Sequence, residues 1–153
     1  MFLQWDSDPQ DMSYAPIIVT FAEGLRETQH PYVFLARQGL KELLGCVGAT
    51  EKLASDKLLC AQLCNTIRLA LMDTSKEADT FDAALDATES LSLCLGEYLT
   101  ENNLDKILIQ ISRKSFDKKY NTKIMTILST IDQVSNEEVR KQIRKKVPTF
   151  QSR

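Results

Sequence analysis

The spacing of the apolar residues constrains this chain most, because they recur every three or four positions over nearly its whole length. Such spacing puts side chains on one face of an α-helix, and the strict alternation typical of strands is nowhere sustained. None of the 4 prolines lies between Tyr32 and Val147, so helices can run there without a break. The pattern predicts about seven amphipathic helices, whose apolar stripes begin at Tyr14, Val33, Leu59, Phe81, Leu104, Tyr120 and Val139.

Two architectures fit these helices: a globular bundle and a short superhelix of helical hairpins. Hairpin units recur at roughly forty-residue spacing, which is usual for helical-repeat arrays, and most helices carry a single apolar stripe. Only the helix that starts near Leu59 is apolar over a wide arc, as a central element should be. We therefore predict an all-α, armadillo- or HEAT-like superhelix in a single domain, 1–153, with an extended segment at 1–13 and a C-terminal tail at 148–153.

Short polar motifs predict where several helices begin. Asp56 is placed to accept a hydrogen bond from the first turn of the third helix. Thr74 with Glu77, and Ser135 with Glu138, have the spacing of a capping box, in which each side chain satisfies an amide of the first turn.

Composition limits the class of protein. The chain has 153 residues, of which 43% are hydrophobic and 26% charged, so it can bury the core of one domain. No stretch approaches eighteen uncharged apolar residues, and the acidic N-terminus lacks the basic region of a signal peptide. These features predict a cytoplasmic protein without a membrane span.

The four cysteines are expected to be reduced and structural rather than disulfide-bonded, since nothing in the sequence indicates secretion. Cys60 and Cys64 are four positions apart, on the apolar face of one helix. A zinc site would need two further ligands at suitable spacing, which the sequence does not offer, so both are interpreted as small core residues.

No catalytic motif is recognisable. His30 is the only histidine and precedes Pro31 at the start of a helix, where a turn residue or N-cap is the simpler interpretation. Phosphate-binding glycine loops, zinc-binding histidine pairs and nucleophile elbows are absent from the sequence. Asp82 and Asp86 share a helical face and could bind a cation, although such pairs more often face solvent. We predict a protein that is not an enzyme, with no cofactor and no metal.

Charge is distributed unevenly along the chain. Residues 1–111 carry eight Lys or Arg against seventeen Asp or Glu, a net −9, whereas residues 112–153 carry eleven against four, a net +7. The two values together give the overall −2. A strongly dipolar protein of this kind can orient itself against charged partners.

The basic end forms a candidate binding ridge on the last helix. Its members are Arg140, Lys141, Arg144, Lys145 and Lys146. Nucleic acid is an improbable partner because aromatic residues for base stacking are missing and the isoelectric point is near 5.5. Either an acidic protein partner or a merely solvated helix end accounts for the ridge. We expect the triple substitution Arg140→Glu, Arg144→Glu and Lys145→Glu to leave the helical fold intact.

One stretch carries a family resemblance. FAEGLRETQHPYVFLARQGLKELL, with its PYVFLARQG motif, closely resembles the parkin co-regulated protein family, and AEGLRETQHPY resembles its parkin co-regulated-like branch. LQWD near the N-terminus and KKVPTFQS near the C-terminus are similar to the family's ends. The resemblance implies an armadillo- or HEAT-like superhelix without catalysis.

The resemblance also implies a partner and a location. Axonemal members of that family bind tubulin within ciliary and flagellar doublet microtubules. We therefore expect a scaffold that binds tubulin or axonemal proteins, located in the cytoskeleton, with the axoneme of a cilium or flagellum as the specific place. The alternative is a general cytosolic adaptor that binds other proteins without microtubules.

The resembling stretch is interpreted as the structural corner of the first hairpin rather than as a catalytic loop. Glu27, Thr28 and His30 are expected to cap helix ends, and Tyr32 to pack in the core or line the outer surface. Arg37 or Gln38 is expected to bond the corner backbone, and Gly39 to mark a close helix crossing, since glycine inside a helix costs about 1 kcal/mol relative to alanine.

Trp5 has two interpretations, and neither needs a catalytic role. It is either a lid over the core, as most aromatic residues are, or an anchor at a partner interface.

The structural interpretation of the cysteines gives a first prediction. Cys60→Ala and Cys64→Ala should each lower the free energy of unfolding by about 1 kcal/mol or somewhat more, through lost packing. Chemical denaturation measures this effect. Stoichiometric zinc in the purified protein would contradict the interpretation.

Overall fold

The computed structural model describes residues 3–74 and 78–150, and within them the chain forms eight α-helices, three short 3₁₀ helices and no strand. The prediction of an all-α fold is confirmed. The α-helices are α1 Ile17–Glu23, α2 Tyr32–Leu44, α3 Ala49–Ala54, α4 Lys57–Leu71, α5 Thr80–Leu95, α6 Glu101–Arg113, α7 Asn121–Val134 and α8 Glu137–Lys146. The 3₁₀ helices are Pro9–Asp11, Gly24–Arg26 and Gly96–Tyr98.

The helices form two layers. In one layer α1 packs on α4, α4 on α6 and α6 on α8; in the other α2 packs on α5 and α5 on α7. Helical hairpins α1–α2 and α4–α5 connect the layers, and one apolar core runs between them. This stacking is consistent with the predicted armadillo- or HEAT-like superhelix.

The helix that the periodicity did not predict is α3. It has six residues, of which only Ala49 and Leu53 are buried, so it is too short to show an apolar stripe. Gly48 precedes it with φ of 88°, a left-handed conformation that glycine adopts without a steric penalty.

Both α4, the helix predicted to be central, and α5 lie in the middle of the stack, and α5 is the more completely buried of the two. Eleven of the 16 residues of α5 are buried, against seven of the 15 in α4. Buried Thr88 and Ser92 satisfy their hydroxyl groups locally, donating at 2.8 Å to the carbonyl oxygens of Ala84 and Thr88. These hydroxyl residues weaken the apolar pattern in the sequence, although the helix itself is buried on most sides.

The helix starts were predicted in part. Asp56 caps α4, where its carboxylate accepts from Leu59 N at 3.1 Å. The cap of α8 is Asn136 rather than Ser135, because Ser135 still bonds to the preceding helix. The predicted box at Thr74 depends on Glu77, which lies outside the described residues.

Near both termini, residues that the structure describes pack against the helical core. Phe150, in the predicted C-terminal tail, is buried in the core. In the predicted extended segment at 1–13, the 3₁₀ helix begins after Asp8, whose carboxylate accepts from Gln10 N at 3.0 Å.

In the part of the chain that the structure describes, no helix is long and apolar enough to cross a bilayer.

Two glycine contacts bring α2 close to the preceding helical segment. A Cβ atom at Gly39 would lie 2.6 Å from Phe21 Cε1, and one at Gly24 would lie 2.6 Å from Ala36 Cβ. Real Cβ atoms do not approach neighbours this closely, so both positions depend on the absence of a side chain. The close crossing predicted at Gly39 is present.

Gly39→Leu should therefore destabilise the protein by about 1–3 kcal/mol through overpacking against the Phe21 ring. Thermal or urea unfolding measures the loss. In a Phe21→Ala background the same substitution should cost less, because the obstructing ring is gone. An equal cost in both backgrounds would show that the ring is not the obstacle.

Candidate functional site

The turn between α1 and α2 is a structural corner. His30 and Pro31 are exposed, and Tyr32 is 59% exposed at the first position of α2. The expected capping is largely wrong, because Pro31 occupies the N-cap position and no side chain caps α2. Only Glu27 ends a helical turn, through its backbone amide, which donates to Gly24 O at 3.0 Å.

Arg37 bonds a distant segment rather than the corner. Its Nη2 donates to the carbonyl oxygen of Ala78, 41 residues further along the chain and just before α5. The expectation that Arg37 or Gln38 bonds the corner backbone is therefore wrong for Arg37, and Gln38 instead hydrogen-bonds the Glu42 carboxylate. Together with Ala36 against Gly24 and Gly39 against Phe21, Arg37 gives the ARQG segment a packing role in the interior of the hairpin stack.

Trp5 lies on the first hairpin as a half-buried lid. Its ring meets Phe21 edge-to-face, with centroids 5.7 Å apart and an interplanar angle of 79°. Its Nε1 donates to Glu42 Oε1 at 3.2 Å, while Leu3 N donates to Glu42 Oε2 at 2.9 Å. These contacts support the lid interpretation, because the indole ring and its N–H group both have partners within the chain.

Glu42 thus holds the N-terminal segment against α2, and we call its hydrogen bonds with Leu3 and Trp5 the Glu42 clasp. Burial alone would raise the pKa of the Glu42 carboxyl, but the hydrogen bonds from Leu3, Trp5 and Gln38 lower it below its ordinary value. The lowered pKa shows that the clasp favours the ionised carboxylate.

A second group of contacts holds the rest of this segment. Lys52 Nζ donates to the carbonyl oxygens of Gln10 and of Met12, the latter at 3.0 Å, and lies 4.7 Å from the Tyr14 ring centroid. The Tyr14 hydroxyl donates to the Leu43 carbonyl oxygen. The segment before α1 is therefore bound across α2 and α3.

The predicted basic ridge lies on α8, and part of it is neutralised by the protein itself. Arg140 Nε donates to the Asp132 carbonyl oxygen at 2.7 Å, and Arg144 Nη2 lies 3.7 Å from Asp132 Oδ1. Lys146 Nζ lies 3.1 Å from Asp105 Oδ1 on α6. The Asp132 side chain is only 14% exposed. Reversing Arg140 and Arg144 would crowd carboxylates around it, so the expectation that these changes leave the fold undisturbed does not suit this geometry.

The open part of the ridge is the Lys141/Lys145 pair. Both side chains are exposed, and neither makes a hydrogen bond or close ion pair with the described residues, although the charge of Lys145 helps to lower the pKa of Asp105. They are four positions apart in α8, so they project from the same face of the helix. This pair is the candidate site for an acidic partner.

The acidic pair on α5 already has a cation. Lys123 Nζ, on α7, lies 2.7 Å from Asp82 Oδ1 and 2.8 Å from Asp86 Oδ1. The cation that these two aspartates could bind is therefore a lysine of the same chain. Among the described residues no three metal-ligating side chains are grouped in a way that could hold an ion.

Asp79 is a structural residue that the sequence analysis missed. It caps α5 in a left-handed conformation with φ of 46°, and its carboxylate accepts from the Tyr120 hydroxyl at 2.8 Å and pairs with Lys119 at 3.0 Å. Burial would raise the pKa of Asp79, but these donors lower it overall. Aspartate tolerates the left-handed region better than most residues, yet its partners lie 40 or more positions away, so only part of this role is readable locally.

All four cysteines are free, and none is bonded to another in the described structure. Cys60 and Cys64 are buried on α4, as predicted, and Asn103 Nδ2 lies 3.5 Å from Cys60 Sγ. Burial raises the pKa of the Cys94 thiol to about 11. That thiol is therefore protonated at neutral pH, as suits a core residue.

The chain matches a known protein family over nearly its whole length. The family model described as Parkin co-regulated protein matches residues 1–152. The match includes the N-terminal segment held by Glu42, the corner between α1 and α2, and the basic face of α8.

The Glu42 clasp gives a prediction that Trp5, the only tryptophan, can report. A carboxylate with a lowered folded pKa stabilises the fold above its unfolded pKa, and the stabilisation is lost as pH falls through the folded value. We expect Trp5 emission to shift to longer wavelength as pH falls below about 4.3, the ordinary value for Glu. Glu42→Gln should show the shifted emission already at pH 7.

Glu138→Gln is the matched control, because Glu138 is exposed and has no polar contact with the described residues. It should behave as the wild type does. Wild-type emission in Glu42→Gln at pH 7 would show that the clasp does not need the carboxylate.

Proposed function

This chain belongs to the parkin co-regulated protein family, and from that premise we propose that it is a non-enzymatic scaffold that binds tubulin or axonemal proteins in the cytoskeleton of cilia or flagella. The observation that carries the proposal is the Lys141/Lys145 pair. It presents two exposed positive charges from one helix face, and neither makes a hydrogen bond or close ion pair with a described residue, although the charge of Lys145 helps to lower the pKa of Asp105. Microtubules expose an acidic surface, so the charges are complementary.

The few described side chains that could act in catalysis are not arranged as a catalytic site, which agrees with a scaffold role. His30 lies exposed in a turn and has no hydrogen bond to a described nucleophile or carboxylate. Cys60 and Cys64 are buried, and the hydrogen bond between their thiols lowers the pKa of Cys60 and raises that of Cys64, but no described histidine is hydrogen-bonded to either thiol. Neither arrangement resembles an activated nucleophile with its base.

The alternative of a general cytosolic adaptor depended on Trp5 as an interface anchor. The indole instead packs on Phe21 and donates to Glu42. This contact favours the microtubule proposal over the adaptor, because the anchor is already engaged within the chain.

Microtubule co-sedimentation tests the proposal. The wild type should pellet with stabilised microtubules at low salt and be released as salt rises, since screening lengths fall to about 8 Å at physiological ionic strength. Lys141→Glu with Lys145→Glu should abolish pelleting while the protein stays folded, with only a small fall in melting temperature, because both side chains are exposed but Lys145 lies in the last turn of α8, where a positive charge is favourable.

The matched control combines Lys57→Glu with Lys118→Glu, which makes the same change in net charge at two exposed lysines away from α8. This variant should still pellet. The proposal fails if the wild type does not pellet at low salt, or if both double variants pellet equally well.

A further inference from the structure

The turn between α6 and α7 displays an aromatic side chain to solvent. Phe116 is 81% exposed, which is the highest value among the large apolar residues of the described structure. Aromatic side chains are usually buried, because each removes a large apolar area from water. A ring that projects in this way can act as the central contact of an interface.

Hydrogen bonds fix the shape of this turn. Buried Ser115 anchors it, since the Ser115 carbonyl oxygen accepts from Asn121 Nδ2 at 2.6 Å. The Asp117 carboxylate accepts from Lys119 N at 2.9 Å, and the Asp117 amide donates to a carbonyl oxygen three positions back at 3.0 Å. Phe116 therefore projects from a preorganised turn, which loses little conformational freedom when a partner binds.

Basic residues flank Phe116 along the chain. Arg113, Lys114 and Lys118 are exposed, and none of them makes a close ion pair with a described carboxylate. Lys118 makes no hydrogen bond with a described residue either. The surface that complements this turn is therefore an apolar hollow that carries a negative charge.

A hollow of this kind lies on the same chain, between α1 and α4. It is a cleft of about 350 Å³, and its apolar lining comes from Ala15, Pro16, Val19 and Leu59. Glu23 is the one charged residue in the lining, and the other lining residues are polar and uncharged. The Glu23 side chain is exposed and makes no hydrogen bond or close ion pair with a described residue. The cleft thus offers an apolar surface beside an unpaired carboxylate.

Phe116 does not occupy the cleft of its own chain, because its ring is exposed to solvent. The turn and the cleft also belong to different parts of the stack, since α1 packs on α2 and α4, whereas α7 packs on α5 and α8. A contact between turn and cleft therefore joins two copies of the chain. Because the two surfaces differ, such a contact is heterologous and leaves each copy with a second surface for a further copy.

The distribution of charge along the chain favours the same orientation. Residues 1–111, which include the cleft, carry a net −9, and residues 112–153, which include the turn, carry a net +7. Two copies arranged head to tail bring opposite charges together, whereas two copies that meet through the same surface bring like charges together. The charges therefore favour a head-to-tail contact over a symmetric dimer.

We propose that this chain associates with itself head to tail. The Phe116 ring of one copy packs into the cleft between α1 and α4 of the next copy, and Lys118 of the first pairs with Glu23 of the second. None of these residues belongs to the Lys141/Lys145 pair, so the self-association does not depend on the proposed microtubule contact.

Sedimentation velocity tests the proposal, because it measures average molecular mass against protein concentration. The average mass of the wild type should rise with concentration and fall as salt rises, since salt screens the ion pair. Phe116→Ser should weaken association at least about tenfold, as loss of a central aromatic contact does, with little change in melting temperature. Val47→Ser is the matched control, since Val47 is 78% exposed between α2 and α3. It should associate as the wild type does.

A charge exchange tests the contact between Lys118 and Glu23. Glu23→Lys and Lys118→Glu should each weaken association, because like charges then face each other. The double variant Glu23→Lys with Lys118→Glu should restore it, because the two charges are again opposite. Lys141→Glu makes the same change in the charge of residues 112–153 away from the turn, and should associate as the wild type does.

A mixture of two variants shows whether the contact is head to tail. Phe116→Ser keeps its cleft and Glu23→Lys keeps its turn, so each alone should be mostly monomeric, whereas the equimolar mixture should form a dimer that does not grow further. The proposal is overturned if the wild type stays monomeric, if Phe116→Ser associates as the wild type does, or if either control variant loses association. It is equally overturned if the double charge variant is not restored or the mixture does not dimerise.

Discussion

The rest of this structure depends on the burial of α5 between its neighbours. Most helices here carry one apolar stripe, which a single hairpin cannot fully cover, so stability requires stacked hairpins with a continuous core. The middle hairpin meets this need: α4 packs on α1, α5 and α6, and α5 packs on α2, α4 and α7. Small residues such as Ala84 and Ala87 let helices approach α5 closely, and the hydroxyls of Thr88 and Ser92 are satisfied within the helix itself. The two outer surfaces of the stack are left for other roles.

Ion pairs across the stack rearrange the charge pattern that the sequence displays. Lys123 bridges Asp82 and Asp86, and Lys146 meets Asp105, so basic residues of the C-terminal part neutralise acidic residues of the preceding part. Each pair is partly exposed and contributes modestly to stability. Their larger effect is to leave particular cations without a partner. Lys141 on α8 is such a position in the described structure, and the proposed function rests on it together with its exposed neighbour Lys145.

The N-terminal segment links the corner to the core. Trp5 covers Phe21, and the Phe21 ring in turn occupies the space left by Gly39. Glu42, three positions further along α2, holds the segment by its ionised carboxylate. This chain of contacts gives a physical reason for Trp5, Gly39 and Glu42, each of which has a packing or hydrogen-bonding partner within the first hairpin and its N-terminal segment.

Local patterns in the sequence determined the helices, because an apolar residue at every third or fourth position depends only on neighbours along the chain. They also determined the cap at Asp56 and the buried thiols. The close crossing at Gly39 could be predicted because glycine destabilises a helix interior and is kept there only for a packing reason. Short α3 was missed because two buried residues make no stripe, and Asn136 replaced Ser135 because boundaries shift easily by one residue. Only the tertiary structure decided the partner of Arg37, the lid role of Trp5 and which lysines remain unpaired. Those outcomes depend on contacts between residues about 40 positions apart, which sequence spacing does not encode.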